Sequence, residues 1–177
     1  FIKLKRLLAV ADILRGLGAR KSAMKIYSYC LKIAVNNHLD WAILKSAREL
    51  YTFSAIYESD MRKAKRLNKL FEESKRKNDL EIKCENAFIL SAHHFTKKKE
   101  YTSQVKNKIR NDFEHFNNID FSERTILFNR YLRLIGIMNY EVTNKIDDLI
   151  GFLSHQLKIL KEYGIDLPSD FNLTLKY

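Results

Sequence analysis

The chain has 177 residues, with 32 Lys+Arg against 21 Asp+Glu and a formal net charge of +11. That length suits one compact domain or a short repeat array. Two cysteines exclude a disulfide-stapled scaffold, and 46% hydrophobic with 12% aromatic residues supplies a core and excludes disorder. One proline and five glycines are too few turn formers for a sandwich, a barrel or a doubly wound sheet, which leaves long helices.

Taken in chain order, Leu4, Leu7, Leu8, Ala11 and Leu14 recur at helical steps until Gly16 and Gly18 interrupt them. A second helix carries Ala23, Ile26, Tyr27, Cys30, Leu31 and Ala34 and ends at Asn36-Asn37. A third is expected from Asp40, as N-cap, through Ile43, Ala47, Leu50 and Ala55 to Tyr57. Asp60 is expected to cap a fourth that ends near Asn78. A fifth holds Ile82, Ala87, Leu90 and Phe95 and closes on Lys97-Lys98-Lys99. Val105, Ile109, Phe113 and Phe116 mark a sixth, and a seventh runs from Ser122 to a break at Asn139. The eighth keeps Val142, Ile146, Leu149, Leu153, Leu157 and Leu160 on one stripe as far as Gly164. A loop and an extended tail are expected over 165–177, where Phe171, Leu173, Leu175 and Tyr177 alternate.

Eight helices with short turns make four antiparallel hairpins, at about 2–37, 39–78, 79–118 and 120–164. Ala23, Ala64, Gln104 and Thr143 fall in register at offsets of 41, 40 and 39 residues. A hairpin cannot bury both faces alone, so units at near-constant spacing are expected to stack on one continuous core. The expected fold is all-α, an α-solenoid of about four helix hairpins spanning 1–164.

The first two units resemble tetratricopeptide repeats. Leu7, Val10, Ala11, Leu14, Gly18, Ala23, Tyr27 and Cys30 keep that family's spacing, as do Tyr51, Thr52, Ala55, Ser59-Asp60, Ala64, Asn68 and Phe71. The stretch from Leu50 to Leu80 is similar to repeats in bacterial sensor kinases and transcriptional regulators. Phe88, Ala92, Phe95 and Glu100-Tyr101 keep part of the pattern in the third unit, Asn139-Tyr140 and Thr143 less of it in the fourth. The resemblance implies a right-handed solenoid whose concave face is lined by the first helix of each pair. Carried over by repeat position, the groove residues are Lys5, Leu8, Asp12 and Arg15, then Ser46, Glu49, Phe53 and Ile56, then Asn86, Ile89, His93 and Thr96. This mixture of aromatic, aliphatic and hydrogen-bonding groups suits a peptide or protein segment. The family's clamp for a C-terminal carboxylate is unmatched, because Leu8, Asp12 and Leu50 stand at its positions.

Charge is uneven along the chain. Residues 1–80 hold 18 Lys+Arg against 8 Asp+Glu, for +10, and the rest contributes +1. The densest part is Arg62, Lys63, Lys65, Arg66, Lys69, Lys75, Arg76 and Lys77, diluted by Glu72 and Glu73. It reads as a solvated helix face above Ala64, Leu67, Leu70 and Phe71, or as a patch for nucleic acid or an acidic partner.

Catalytic signatures are missing: no glycine-rich phosphate loop, Cys-x-x-Cys or His-Glu-x-x-His occurs. His93 and His94 are adjacent, so on a helix their side chains diverge by about 100° and do not converge on one metal. Cys30 and Cys84 sit on apolar stripes as small hydrophobes. No enzyme, metal or cofactor is expected. Without a run of about eighteen apolar residues or a signal-peptide pattern, the expectation is a cytoplasmic protein that avoids the membrane. Opening on Phe1 rather than methionine, the sequence leaves open that it is a fragment of a longer chain. The leading expectation is a non-catalytic interaction scaffold, the sensing or docking domain of a bacterial regulatory protein. The alternative is a nucleic-acid-binding module using helix 62–77, and homodimerisation through the C-terminal helix pair is a further expectation.

Overall fold

In the computed structural model, which describes residues 2–96 and 102–162, the chain is all-α. The described elements are α1 (Ile2–Gly16), α2 (Arg20–Asn36), α3 (Asp40–Ile56), α4 (Met61–Thr96), α5 (Ser103–Asn117), α6 (Ile126–Thr143) and α7 (Ile146–Glu162), with a 3-10 turn at Phe121–Glu123. No strand occurs among the described residues. The Lys97-Lys98-Lys99 run, Glu100-Tyr101 and the 165–177 tail lie outside them.

Turn chemistry explains most helix boundaries. Gly18, His38, Ser59 and Asn144 adopt positive φ of 81°, 52°, 53° and 59°, one in each of four short interhelical turns. In three of these turns the next amide reaches back five residues, Ala19 to Leu14, Leu39 to Ala34 and Lys145 to Tyr140, at 2.9, 2.9 and 3.0 Å. That bond satisfies a helix-terminal carbonyl and needs a left-handed residue just before it, which glycine and asparagine adopt at least cost. Asp60 caps α4 as expected, accepting from the Lys63 amide at 2.9 Å. Leu39, rather than Asp40, is the N-cap of α3, and Asp40 sits in its first turn.

Two expected breaks are absent. No turn occurs at Asn78, because α4 runs through it for 36 residues. Between Met61 and Thr96 there is no Gly or Pro, and an Asn-Asp pair costs a helix only about 1 kcal/mol. The inward stripe Leu67, Leu70, Ser74, Asn78, Glu81, Cys84, Ala87 and Ser91 passes the junction unbroken, each residue buried or half-buried. The expected unit boundary between 78 and 79 therefore falls inside a helix, and seven α-helices, not eight, occupy the described residues. Likewise α6 continues past Asn139, whose side chain is buried, and stops at Thr143 before the left-handed Asn144. Val142 thus belongs to α6, and α7 starts at Ile146.

The chain divides into two compact units, Phe1–Lys83 with Phe121–Ile126, and Cys84–Asp120 with Leu127–Tyr177. In the first, α1 packs on α2 and α2 on α3. Their shared core joins Leu4, Leu8, Ala11, Ala23, Tyr27, Cys30, Ala34, Ala42, Ile43 and Leu50, with Leu67 and Leu70 of α4 packed against it. Ala11, Ala23, Ala34, Ala42, Ala47 and Ala64 are fully buried, and such small residues let helix backbones approach closely. In the second unit, rings dominate. Phe113 meets Phe152 and Tyr140 with centroids 5.2 and 5.6 Å apart, and Phe116 meets Phe128 at 5.9 Å, all near edge-to-face. A Cβ on Gly136 would come within 2.7 Å of the Phe152 ring, so only glycine fits there without a shift. The Cys84 thiol lies 3.8 Å from the Phe128 carbonyl, and the Tyr131 hydroxyl donates to Glu85 at 2.6 Å.

Candidate functional site

The first unit places two of the expected groove sets side by side. The Lys5 ammonium lies 5.7 Å from the centre of the Trp41 ring. Lys45 pairs with Asp12 at 3.0 Å, and Arg15 with Glu49 at 3.4 Å. The three α1-to-α3 contacts have nearly constant sequence separation, which requires α1 and α3 to run parallel. Helical spacing then sets Lys45, Glu49, Phe53 and Ile56 of α3 on one stripe facing Asp12 and Arg15 of α1.

Beneath this row the Tyr27 hydroxyl donates to the Asp12 carboxylate. Tyr27 is fully buried on α2, so the bond ties the core to the exposed row. Burial works against the Asp12 carboxylate, but the Tyr27 hydroxyl and the Lys45 ammonium outweigh it and hold its carboxyl below the ordinary value. Burial first, and then Asp12 itself, pushes the Tyr27 phenol up, so it stays a donor at any physiological pH.

Polar and apolar groups are segregated along α3. Lys45 and Glu49 form the charged end of its stripe, while Ile56 is 64% and Tyr57 53% exposed at the other. The Phe53 and Tyr57 rings pair at 5.4 Å, and the Arg20 guanidinium lies 4.7 Å from the Tyr57 ring centre. The row thus offers a mixed-charge segment followed by an exposed aromatic and aliphatic end.

Other expected groove residues are placed differently. Leu8 and Ser46 are buried in the first unit, at 5% and 0% exposure, and do not meet solvent. Leu8 falls on the same inward stripe as Leu4 and Ala11; Ser46 falls between the buried Ile43 and Leu50. Asn86, Ile89 and His93 are exposed on the part of α4 that belongs to the second unit. The expected contribution of the Thr96 side chain lies outside the described residues. Lys45 was not anticipated, although its place four residues before Glu49 is a readable ion-pair signal.

His93 and His94 have ring centres 5.8 Å apart, and no group of three or more His, Cys, Asp or Glu converges among the described residues. Cys30 and Cys84 are both buried, and burial pushes the Cys30 thiol up, away from thiolate chemistry. On α7, Phe152 is committed to Phe113 and Tyr140 and Gln156 is buried, while Ile150 stays 58% exposed. No described helix is long and apolar enough to cross a membrane. Comparison with family models, curated proteins and solved structures gives no match.

Proposed function

We propose that the chain is a non-catalytic scaffold whose α1/α3 face takes a protein or peptide segment, in the manner of tetratricopeptide-like repeats. The observation that carries this reading is the row itself, with Asp12, Arg15, Lys45 and Glu49 in register beside the half-buried Phe53 and the exposed Ile56 and Tyr57. Ion pairs fixed on parallel helices present both signs of charge at set positions, which selects register. The apolar end supplies the area that gives affinity. An amphipathic or extended segment with charges at one end and large apolar side chains at the other has the matching chemistry. In a larger regulatory protein, occupancy of such a row would shift the equilibrium of an adjoining effector.

Peptides selected from a displayed random library on the native chain test this reading. Selected sequences are expected to share an aromatic or aliphatic anchor, and the Phe53→Ser/Ile56→Ser double variant is expected to lose at least tenfold in affinity while keeping its helical circular dichroism. Failure to enrich any peptide, or enrichment indifferent to that variant, would overturn it.

A further inference from the structure

Most acids of the first unit are engaged away from one basic face of α4, and the exposed Glu72 and Glu73 follow that face one turn beyond Lys69. Asp12 and Glu49 are held in the α1/α3 row, and Glu58 accepts from Ser54 and Lys63 at 2.9 and 2.8 Å. Asp60 caps α4, Glu81 accepts from Thr125, and Glu123 takes Arg76 at 2.6 Å. Arg62, Lys65, Arg66 and Lys69 are exposed, and none makes an ion pair with a described residue. They lie on one side of the helix, opposite the buried or half-buried Ala64, Leu67, Leu70 and Ser74. At 1.5 Å per residue the four charges span about 10 Å of axis, with about 6 Å, one turn, between Arg62 and Arg66 and between Lys65 and Lys69. On α2, Lys21, Lys25 and Lys32 are exposed as well, and Arg20–Asn36 contains no acidic residue to offset them.

We propose that this face of α4, centred on Arg62, Lys65, Arg66 and Lys69, binds the phosphate backbone of a nucleic acid. It is a second surface, separate from the α1/α3 row. Closely spaced cations along an extended edge match a polyanion whose charge repeats regularly, and two arginines add bidentate phosphate geometry. The α2 lysines raise the positive potential of the unit and steer the approach.

The same face is poorly suited to the other anionic macromolecules. Protein interfaces centre on aromatic and aliphatic residues and are depleted in lysine, whereas from Arg62 to Lys69 every exposed residue is Lys or Arg. Membrane-surface helices add apolar side chains that enter the lipid boundary, and these two turns expose none. Phosphate contacts alone carry no base information, so the surface is expected to bind without sequence preference.

Fluorescence anisotropy of a short labelled DNA duplex with the full chain tests the proposal. Four phosphate contacts predict a fall in affinity of about a hundredfold between about 50 and about 200 mM salt. Arg62→Glu/Arg66→Glu is expected to abolish binding, whereas Lys106→Glu/Arg110→Glu, an equal charge change at exposed sites of α5, is expected to alter it less than threefold. No binding at low salt, salt-insensitive binding, or equal loss in the two variants would overturn the proposal. So would poly-glutamate binding as tightly as the duplex with the same sensitivity to Arg62→Glu/Arg66→Glu, which would assign the face to acidic proteins. Circular dichroism of each variant separates loss of binding from loss of fold. Peptide capture by the α1/α3 row is read independently, so either surface can fail alone.

Discussion

The two units solve the same problem, holding helices against helices, with opposite materials. The first packs α1, α2 and α3 through fully buried alanines and one tyrosine, so the helices sit close and their outer rims are near enough to exchange charges. The second fills its interior with Phe113, Phe116, Phe128 and Phe152, which cover area but leave one position, Gly136, where a methyl group meets a ring. Small-residue packing therefore comes with a charged, registered surface, as at Asp12–Lys45 and Arg15–Glu49. Both kinds of core turn polar groups inward, small serines at Ser46, Ser54 and Ser74 in the first unit and the larger Asn139 and Gln156 beside Ser91 in the second. A surface that distinguishes partners by charge position is easier to build on the first kind of core.

If that contrast holds, the second unit is damaged most by truncation and the first by enlargement. Phe128 is fully buried, so Phe128→Ala is expected to cost about 3 to 5 kcal/mol, lowering the melting temperature by on the order of 10 °C. Ala23 is fully buried where α2 meets its neighbours, and Ala23→Leu is expected to cost about 1 to 3 kcal/mol by overpacking. Chemical denaturation of both variants checks the pair. A neutral Ala23→Leu would mean that the helices of the first unit have room to spare, and the explanation of the ion-pair row by close approach would fall with it.

Much of the first unit was legible in the sequence. The steps Leu4–Leu8–Ala11, Ala23–Tyr27–Cys30 and Ile43–Ala47–Leu50 place helices that the structure shows, and Gly18 and Asp60 mark a turn and a cap for reasons of backbone geometry. Asn78 and Asn139 misled because asparagine's preference for helix ends is outweighed where the inward stripe of the helix continues through it, half-buried at Asn78 and buried at Asn139. What ended α6 was the left-handed conformation at Asn144, and nothing comparable occurs inside α4. Of the α1/α3 row, Asp12, Arg15 and Glu49 were picked out only by the repeat positions that the tetratricopeptide resemblance implies. Helical spacing did not give the Tyr27–Asp12 bond, because a hydroxyl at a core position reads as an apolar ring until the carboxylate above it is located. Leu8 and Ser46 were misplaced for a related reason: a helix rim and a helix core differ by one residue step of about 100°, and repeat position alone does not fix that rotation.

The smallest expected effect is at Asp12, where the contrast is sharpest because this carboxylate joins the core to the surface. Its pKa is lowered in the folded chain, so its ionised form favours folding. That contribution is complete above the ordinary value of 3.8 and disappears as pH falls through the lower folded value. Asp12→Asn should therefore cost stability at neutral pH, on the order of 1 kcal/mol given that the side chain is 38% exposed, and the gap to the native chain should close in acid. Salt divides the contribution further. The Lys45–Asp12 pair is half-exposed and screened, whereas the bond from buried Tyr27 is not, so raising salt at neutral pH should narrow the gap without removing it. Denaturation midpoints of the two chains from neutral pH to below 3.8, at low and high salt, read both dependences. A gap that persists unchanged in acid would show that the Asp12→Asn substitution disturbs packing rather than charge, and the row would then be an accident of the surface rather than an extension of the core.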